Sequence, residues 1–372
     1  MKTILIIGNA KSIFIKEYIK HVATKEFDTI VLTCRGALTE EEKELYKNFD
    51  VKLVDLYQKG PVLSCIPKVA NTIAFINNLK RVAKEYEIDT IQVHNVLNVN
   101  NLMFAYNALR QSCKRLILTY WGSDILDTDR TRTKRCENLL EVTDIIILPT
   151  AAMREKFREY YGNKFDEKID GVVFGNSIIQ LAESMTWEKT PSDKIRIAIG
   201  YNANPRQQHI KVIDALGKLS DEDKEKIKIV LHMGYGDQGS DGYYEEVKQA
   251  LEDNGLEGEI HTEFFNHEQV IEFRKAVDVY INAQITDALS ASVMEYMYFG
   301  AIALNPTWLD YKEWRDLGID YVDYEEFDEI PGIISKIVAG EIEISTEENR
   351  GKIAGNFTWT ELSKKWRDKC FL

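Results

Sequence analysis

The sequence predicts an α/β protein made of two doubly wound domains. Short, uniformly apolar runs alternate with helical patterns in both halves of the chain, which is typical of parallel sheets covered by helices on both faces. The length of 372 residues suits two domains better than one. The join lies near residues 175–193, because Gly175-Asn176-Ser177 breaks the last strand pattern of the first set and Thr190-Pro191-Ser192-Asp193 precedes the first strand of the second.

The predicted strands fall into two sets along the chain. They lie at residues 4–7, 29–33, 51–56, 90–94, 115–120, 144–148 and 171–174, and then at 195–199, 227–232, 259–263, 277–282, 301–305 and 320–322. Ligands of such sheets bind beyond the carboxyl ends of the strands, so we expect the domains to face each other across a cleft. We place the domains at residues 1–180 and 190–352. A helix at 356–372, whose Trp and Leu residues have helical spacing, is expected to pack back on the first domain.

Composition excludes several classes of protein. With 44% apolar and 29% charged residues the chain can build globular cores, and its net charge of -13 argues against nucleic acid as a partner. Residues 1–175 are close to neutral, so the acidity lies in the rest. The first apolar run is too short for a signal peptide, and none approaches the ~20 residues of a membrane span. Five scattered cysteines without metal-ligand spacing indicate reduced thiols in a cytoplasmic protein: Cys34, Cys65, Cys113, Cys136 and Cys370.

Residues 286–300 carry the strongest functional signal. Asp287 lies on the loop after a predicted strand, and Glu295 lies one turn into the helix that follows. Small residues lie between the two carboxylates, at and before the start of this helix: Ala288, Ser290, Ala291 and Ser292. A helix start of this kind offers free backbone N–H groups and a positive dipole end to a diphosphate, and the carboxylates can bind hydroxyls. A diphosphate together with hydroxyls indicates a sugar nucleotide.

The second half resembles nucleotide-sugar glycosyltransferases of the GT-B architecture, which has two Rossmann-like domains. These group 1, family 4-like enzymes carry a glycine after the first strand of the second domain and a basic residue six positions later, as in Gly200 and Arg206. Their next landmark, a strand followed by G-x-G, resembles residues 231–236. Their acid-x7-Glu motif resembles Asp287 and Glu295, although Asp stands here where Glu is usual.

Two further strings extend the resemblance. The turn Trp121-Gly122-Ser123-Asp124 is similar to the WGSD turn of some polysaccharide-assembly transferases. The pattern G-x-N-A-x-P-x-x-x-H at residues 200–209 resembles bacterial 4-acetamido-fucose transferases, which extend lipid-linked glycans. Tyr201 departs from the family, since many members have a second basic residue at this position.

The resemblance implies a donor site in the second domain. Arg206 would bind the phosphates through its planar fork, with a surface arginine at a helix start as the alternative. Glu295 would accept ribose hydroxyls and Asp287 sugar hydroxyls, whereas their alternatives are a glutamate favoured by the helix dipole and a helix cap. Phe264 and Phe265 could flank the base or belong to the core. The complete predicted donor set is Gly200, Asn202, Arg206, Asp287, Ser290, Ala291, Ser292 and Glu295.

We predict that no metal ion or other cofactor is needed. The leaving diphosphate requires preorganised positive charge, which Arg206 and the helix N-terminus can supply. The one formal Asp-x-Asp string, Asp127-Thr128-Asp129, is more typical of a solvated turn.

The acceptor side is predicted in the first domain. The loop Gly8-Asn9 can approach a sugar or phosphate closely, but a plain tight turn is an equal alternative. His94 ends a strand and is a candidate catalytic residue, or else a structural histidine. Asp124 would act as general base if transfer inverts the anomeric centre and would position the substrate if it retains configuration; the alternative is an Asx turn. Trp121, Gly122 and Ser123 complete the predicted acceptor side.

These features together predict a metal-independent glycosyltransferase that moves a sugar from a nucleoside diphosphate to a glycan or lipid-linked acceptor in surface polysaccharide synthesis. The basic residues 130–135 suit contact with the inner membrane surface or an anionic acceptor, with a solvated helix face as the alternative. Two other functions stay open on the same fold: a nucleotide-sugar epimerase, and a non-catalytic two-lobed ligand-binding protein.

Overall fold

The structure is a computed structural model that describes residues 2–58, 67–99, 102–236 and 242–371. It divides into two compact units. Unit 1 contains Met1–Gly175 and Trp359–Leu372, and unit 2 contains Asn176–Thr358. Both units have the doubly wound α/β architecture that the sequence predicts. The chain therefore leaves unit 1 after residue 175 and returns to it at residue 359, whereas the sequence placed the domains at 1–180, 190–352 and 356–372.

Unit 1 is built on a seven-stranded parallel sheet of order β3-β2-β1-β4-β5-β6-β7. Its strands are β1 (Thr3–Ile7), β2 (Thr29–Thr33), β3 (Lys52–Val54), β4 (Thr90–His94), β5 (Arg115–Thr119), β6 (Ile145–Ile147) and β7 (Ile169–Asp170). Residues of β1 and β4 are buried throughout, as expected for central strands covered on both faces.

The helices of unit 1 cover the two faces of this sheet. They are α1 (Ile13–Tyr18), α2 (Thr24–Glu26), α3 (Glu40–Asn48), α4 (Pro67–Tyr86), α5 (Leu102–Gln111), α6 (Ser123–Leu126), α7 (Arg130–Lys134), α8 (Glu137–Val142) and α9 (Ala151–Tyr161). A π-helical turn, Ile19–Ala23, joins α1 to α2. The start of α3 is fixed by a capping box between Thr39 and Glu42, which satisfies backbone N–H groups that a helix start leaves open.

Unit 2 is built on a six-stranded parallel sheet of order β10-β9-β8-β11-β12-β13. Its strands are β8 (Ile195–Ile199), β9 (Ile227–His232), β10 (Gly258–His261), β11 (Val279–Ile281), β12 (Ile302–Pro306) and β13 (Val322–Tyr324). Its helices are α10 (Ser177–Ala182), α11 (His209–Leu216), α12 (Asp221–Lys226), α13 (Tyr243–Asp253), α14 (His267–Arg274), α15 (Ala291–Tyr298), α16 (Lys312–Asp316), α17 (Ile330–Val338) and α18 (Thr346–Phe357).

The last helix, α19 (Trp359–Phe371), belongs to unit 1 and explains one wrong strand prediction. The run 171–174 is not a strand, because β7 ends at Asp170. The indole N–H of Trp366 donates to the carbonyl of Val173 at 2.9 Å, and its ring lies 5.1 Å from that of Phe174. The apolar run is therefore buried against α19 instead of extending the sheet.

The strand order places the predicted site residues. In unit 1 the order reverses between β1 and β4, and in unit 2 between β8 and β11. Loops that leave such neighbouring strands diverge, and the crevice between them is where doubly wound sheets bind ligands. Gly8 and His94 lie at the first of these switch points, and Gly200 and Asp287 at the second.

Some residues singled out in the sequence lie outside the described part of the chain. Cys65 and the side chains of Arg130 and Arg132 are outside the described part of the chain. The described cysteines are free thiols: Cys34, Cys113, Cys136 and Cys370. Among helices in the described ranges, none has the length and apolar character to cross a membrane.

Candidate functional site

The loop after β8 depends on a glycine. Gly200 has a φ of +61°, in the left-handed region, and a Cβ atom there would lie 2.8 Å from Nε2 of His209. The chain then turns because Asn202 accepts from the N–H of Asn204 at 2.9 Å, while the side chain of Asn204 accepts from the N–H of Arg206 at 3.0 Å. These Asx-type bonds fix the start of the turn that carries Arg206.

Arg206 links this loop to the loop after β11. Its guanidinium donates to the hydroxyl of Thr286, and its carbonyl accepts from the N–H of Ile285 at 3.2 Å. The Arg206 residue is exposed, as a phosphate-binding side chain must be. Folding thus brings the predicted cation next to the loop that bears Asp287.

Asp287 is held by two donors. Its carboxylate accepts the Tyr311 O–H at 2.9 Å and the N–H of Ala288 at 2.8 Å. Burial raises the pKa of Asp287 to about 6, although the Tyr311 hydrogen bond lowers it in part. Burial also raises the pKa of Tyr201, and the nearby Asp287 charge adds to that shift. Asp287 and Tyr201, the two residues that depart from the pattern of the similar enzymes, therefore lie close together.

The helix that follows starts as predicted. Ser290 is the N-cap of α15, and its hydroxyl accepts from the N–H of Val293 at 3.3 Å. Ala291 and Ser292 form the first turn. The helix start carries no bulky side chain, so its backbone N–H groups can meet an anion.

Glu295 lies in a buried ion pair. Its side chain accepts from the amide of Asn176 at 3.1 Å and from Nε of Arg274 at 3.3 Å. The residue is only 7% exposed, and burial raises its pKa while the Arg274 charge opposes that shift. Arg274 also donates to the hydroxyl of Ser292 at 3.2 Å, so one guanidinium contacts two residues of α15.

The sequence prediction missed three polar partners of this site: Asn176, Arg274 and Tyr311. Arg274 ends α14, and its guanidinium carbon lies 3.8 Å from the centre of the Tyr296 ring. Tyr311 precedes α16. In the sequence they are an ordinary loop asparagine, helical arginine and loop tyrosine, and no local pattern marks them.

Two aromatic side chains beside the site are exposed. Phe264 is 73% exposed and Tyr235, the middle residue of the G-x-G string, is 41% exposed; their ring centres are 6.2 Å apart. Phe265 instead stacks on His232, with ring centres 4.1 Å apart. Phe264 is thus exposed enough to face a ligand, whereas Phe265 is half-buried in its contact with His232.

In unit 1 the Gly8-Asn9 loop is tightly packed. The N–H of Gly8 donates to the Thr33 hydroxyl at 3.0 Å, and a Cβ atom at Gly8 would lie 2.9 Å from Ile15. Asn9 accepts from the N–H of Lys11 at 3.1 Å.

His94 and the Trp121 turn are in contact. The Trp121 indole N–H points at Nδ1 of His94 at 3.4 Å, and burial lowers the His94 pKa to about 3. His94 is therefore a neutral imidazole at physiological pH. Asp124 accepts from the N–H groups of Trp121 and Gly122 at 2.8 and 3.1 Å, and Ser123 next to it is exposed. Both donors precede Asp124 in the chain, whereas in an Asx turn the side chain accepts from an N–H two residues later, so these bonds hold the turn in a different way.

The Asp124 carboxyl combines this structural role with an unusual acidity. It is 2% exposed, and burial raises its pKa to about 6, partly offset by backbone hydrogen bonds. A carboxylate with that pKa is a better proton acceptor than an ordinary aspartate. The catalytic roles of Asp124 and His94 stay predictions.

No metal cluster was found in the described part of the chain. Within those residues no group of three or more His, Cys, Asp or Glu side chains is arranged to hold a metal ion.

The fold and the arrangement of these loops define a two-domain GT-B protein, and comparisons agree. Residues 3–147 match the family model described as "Glycosyl transferase 4-like". A search of curated proteins found no significant match. The family match supports a glycosyltransferase, and the structures below resemble this chain in fold.

The solved structures that resemble this chain cover nearly all of it. The Anabaena protein Alr3699/HepE in complex with UDP has a TM-score of 0.75 at 15% identity, over 99% of both chains. A glycosyltransferase from Rickettsia africae has a TM-score of 0.76 at 16% identity, over 99% of this chain and 98% of its own. The lipopolysaccharide outer core galactosyltransferase WaaB has a TM-score of 0.72 at 15% identity, over 100% and 99%. The predicted likeness to 4-acetamido-fucose transferases, and the predicted cleft, stay predictions.

Proposed function

We propose that the protein transfers a sugar from a nucleoside diphosphate to an acceptor hydroxyl, with the donor bound at the β8–β11 switch point of unit 2. One observation carries this proposal. Two neighbouring loops at this switch point, tied together by Arg206 and Thr286, bring a cation, a helix start and two carboxylates to one place. A nucleotide sugar needs partners of these same three kinds.

The diphosphate would lie at the start of α15, with Arg206 beside it. The backbone N–H groups of Ser290–Ser292 and the dipole of the helix offer fixed positive charge, and the guanidinium can bind two phosphate oxygens at once. Charge develops on the diphosphate as the glycosidic bond breaks, so these groups would stabilise the transition state more than the ground state. We therefore propose a reaction without a metal ion.

The carboxylates would bind the hydroxyls on either side of the diphosphate. Glu295, at the end of the first turn of α15, would accept from the ribose, and Asp287, on the preceding loop, from the donor sugar. The exposed rings of Tyr235 and Phe264 offer the flat apolar surface that a nucleobase stacks on. Because HepE was solved with UDP and with UDP-glucose, uridine nucleotides are the first donors to test.

The acceptor side is proposed in unit 1. Asp124, whose pKa is raised to about 6, could remove the proton of an attacking hydroxyl in an inverting reaction or orient the acceptor in a retaining one. Since WaaB is a lipopolysaccharide galactosyltransferase, we propose a glycan or lipid-linked acceptor in surface polysaccharide synthesis. The protein would act in the cytoplasm and contact the inner membrane surface through residues 130–135.

Thermal shift with UDP, dTDP, GDP, CDP and ADP, free and as sugar conjugates, tests the donor assignment. A ligand that binds the folded state raises the melting temperature with its concentration, by an amount that reflects its Kd. We expect at least one nucleoside diphosphate to stabilise the protein, with and without EDTA. If none does, the proposal is wrong, and if EDTA abolishes the shift, the metal-independent part is wrong.

Transfer itself is tested by release of the nucleoside diphosphate from the best donor in the presence of membrane lipid extracts. An acceptor-dependent increase supports a transferase. Conversion of the donor into an epimer without an acceptor would instead establish the epimerase alternative.

A further inference from the structure

The Arg274–Glu295 pair is the most unusual part of the site. Arg274 is 4% exposed, and its guanidinium lies over the Tyr296 ring, with the guanidinium carbon 3.8 Å from the ring centre. An ion pair this deep is costly, because both charges lose their water and the attraction only partly compensates. Two apolar residues of similar volume would suit a purely structural role as well or better.

The geometry restricts how Glu295 can move. Oε2 of Glu295 accepts a hydrogen bond from Nε of Arg274, and Oε1 accepts one from the side-chain amide of Asn176, so both carboxylate oxygens are held. The second arm of the guanidinium is bound to the Ser292 hydroxyl on the same helix, one turn earlier. The guanidinium also lies over the Tyr296 ring, a contact that limits how the Arg274 side chain can move.

This arrangement leaves Glu295 able to bind a diol. An ionised carboxylate has about four acceptor positions, and Arg274 and Asn176 use two of them. The remaining two can each accept one ribose hydroxyl. A carboxylate without these partners would lose rotamer freedom on binding and so bind more weakly.

We propose that Arg274 is the positioning residue of the nucleotide site, which orients Glu295 so that its carboxylate binds the ribose hydroxyls. This inference rests on the proposed function. Arg274, a residue of α14, contacts Glu295 and acts through it. It does not need to contact the nucleotide.

The test compares UDP with 2′,3′-dideoxy-UDP by calorimetric titration. The wild type should bind UDP about tenfold or more tightly than the dideoxy analogue, as for hydrogen bonds to a charged group. Arg274→Lys keeps the charge but cannot contact Glu295 and Ser292 together. We expect its preference for UDP to fall below about threefold, with affinity for the dideoxy analogue within about threefold of the wild type.

Two further variants separate positioning from folding. Ser292→Ala keeps the backbone N–H and the helix but releases one arm of Arg274, so it should reduce the preference for UDP in the same direction by a smaller factor. Arg350→Lys is the matched control, because Arg350 also lies over aromatic rings, those of Trp187 at 4.4 Å and of Tyr298 at 5.4 Å, the latter at the end of α15 opposite its N-terminus. It should leave both affinities unchanged. Ser292→Ala carries the test if Arg274→Lys does not fold.

Each other result overturns the inference in a recognisable way. If Arg274→Lys and Ser292→Ala both keep the wild-type preference for UDP, Arg274 does not position Glu295. If Arg274→Lys weakens both ligands equally, the residue acts on the diphosphate or on the fold. If Arg274→Lys binds UDP more tightly than the wild type, Arg274 competes with the ribose for the Glu295 carboxylate. A wild type that binds no nucleoside diphosphate would instead refute the proposed function.

Discussion

Tyr311→Phe removes one hydroxyl and tests how Asp287 is controlled. The Tyr311 O–H donates to the Asp287 carboxylate at 2.9 Å, and its oxygen accepts from the Asn282 amide at 3.3 Å. Tyr311 is buried, so a phenylalanine ring fills the same volume. The variant therefore changes the hydrogen bonding of Asp287 with little change in packing.

The magnitude follows from the strength of the lost bond. A hydrogen bond to a charged group contributes about 1.5–3 kcal/mol, which corresponds to roughly one to two pKa units. Burial already raises the pKa of Asp287 to about 6, and the Tyr311 bond lowers it, so its loss should move the pKa above 7. If Asp287 acts as a carboxylate, kcat/KM at pH 7 should fall by about two- to tenfold.

The pH dependence of the activity shows in which direction the pKa of Asp287 has moved. Asp287 is ionised above its pKa, so activity should rise with pH in both proteins, and the rise in Tyr311→Phe should occur at higher pH. At pH 9 the two rates should converge. The measurement is kcat/KM for donor turnover between pH 5 and 9.

The control is Tyr298→Phe, which removes a hydroxyl bonded to another carboxylate, that of Glu183. Its profile should match the wild type. A Tyr311→Phe profile that superimposes on the wild type, or that is lowered equally at every pH, would refute the reasoning.

Three other substitutions test separate parts of the site. Arg206→Gln should weaken nucleoside diphosphate binding about tenfold in a calorimetric titration. Its melting temperature should be unchanged, because Arg206 is exposed. Lys218→Gln is the control, and an Arg206→Gln variant that binds as tightly as the wild type would remove Arg206 from the site. Gly200→Ala should lower the free energy of unfolding by about 1–3 kcal/mol in urea, since its φ is +61° and its Cβ would meet His209. Asp124→Asn should lower transfer about 100-fold or more and leave the nucleotide Kd unchanged. Retained transfer would limit Asp124 to holding the turn through the N–H groups of Trp121 and Gly122.

The fold could be predicted largely from the sequence, because buried parallel strands are recognisable as short apolar runs. The exception at residues 171–174 has a physical reason. An apolar run can be buried in a sheet or against a helix, and periodicity does not distinguish the two. Here Phe174 packs on Trp366 of a helix almost 200 residues later in the chain, at 5.1 Å.

Only those site residues that belong to a local sequence pattern could be predicted. Gly200, Arg206 and Glu295 lie at strand ends and helix starts, positions that the sequence marks. Asn176 caps the start of α10 and Arg274 ends α14, but nothing in the sequence at these positions indicates that they contact Glu295. Arg274 and Asn176 reach Glu295 from 21 and 119 residues away. Such contacts depend on how α10, α14 and α15 pack together, and no residue spacing specifies that.

The central claim is that a nucleoside diphosphate binds to the loops after β8 and β11 of unit 2. A crystal structure of the protein with UDP tests it most directly. We predict the diphosphate at the start of α15 with Arg206 within hydrogen-bonding distance, and the ribose hydroxyls on Glu295. A nucleotide bound elsewhere, or bound here with its ribose away from Glu295, would contradict the account.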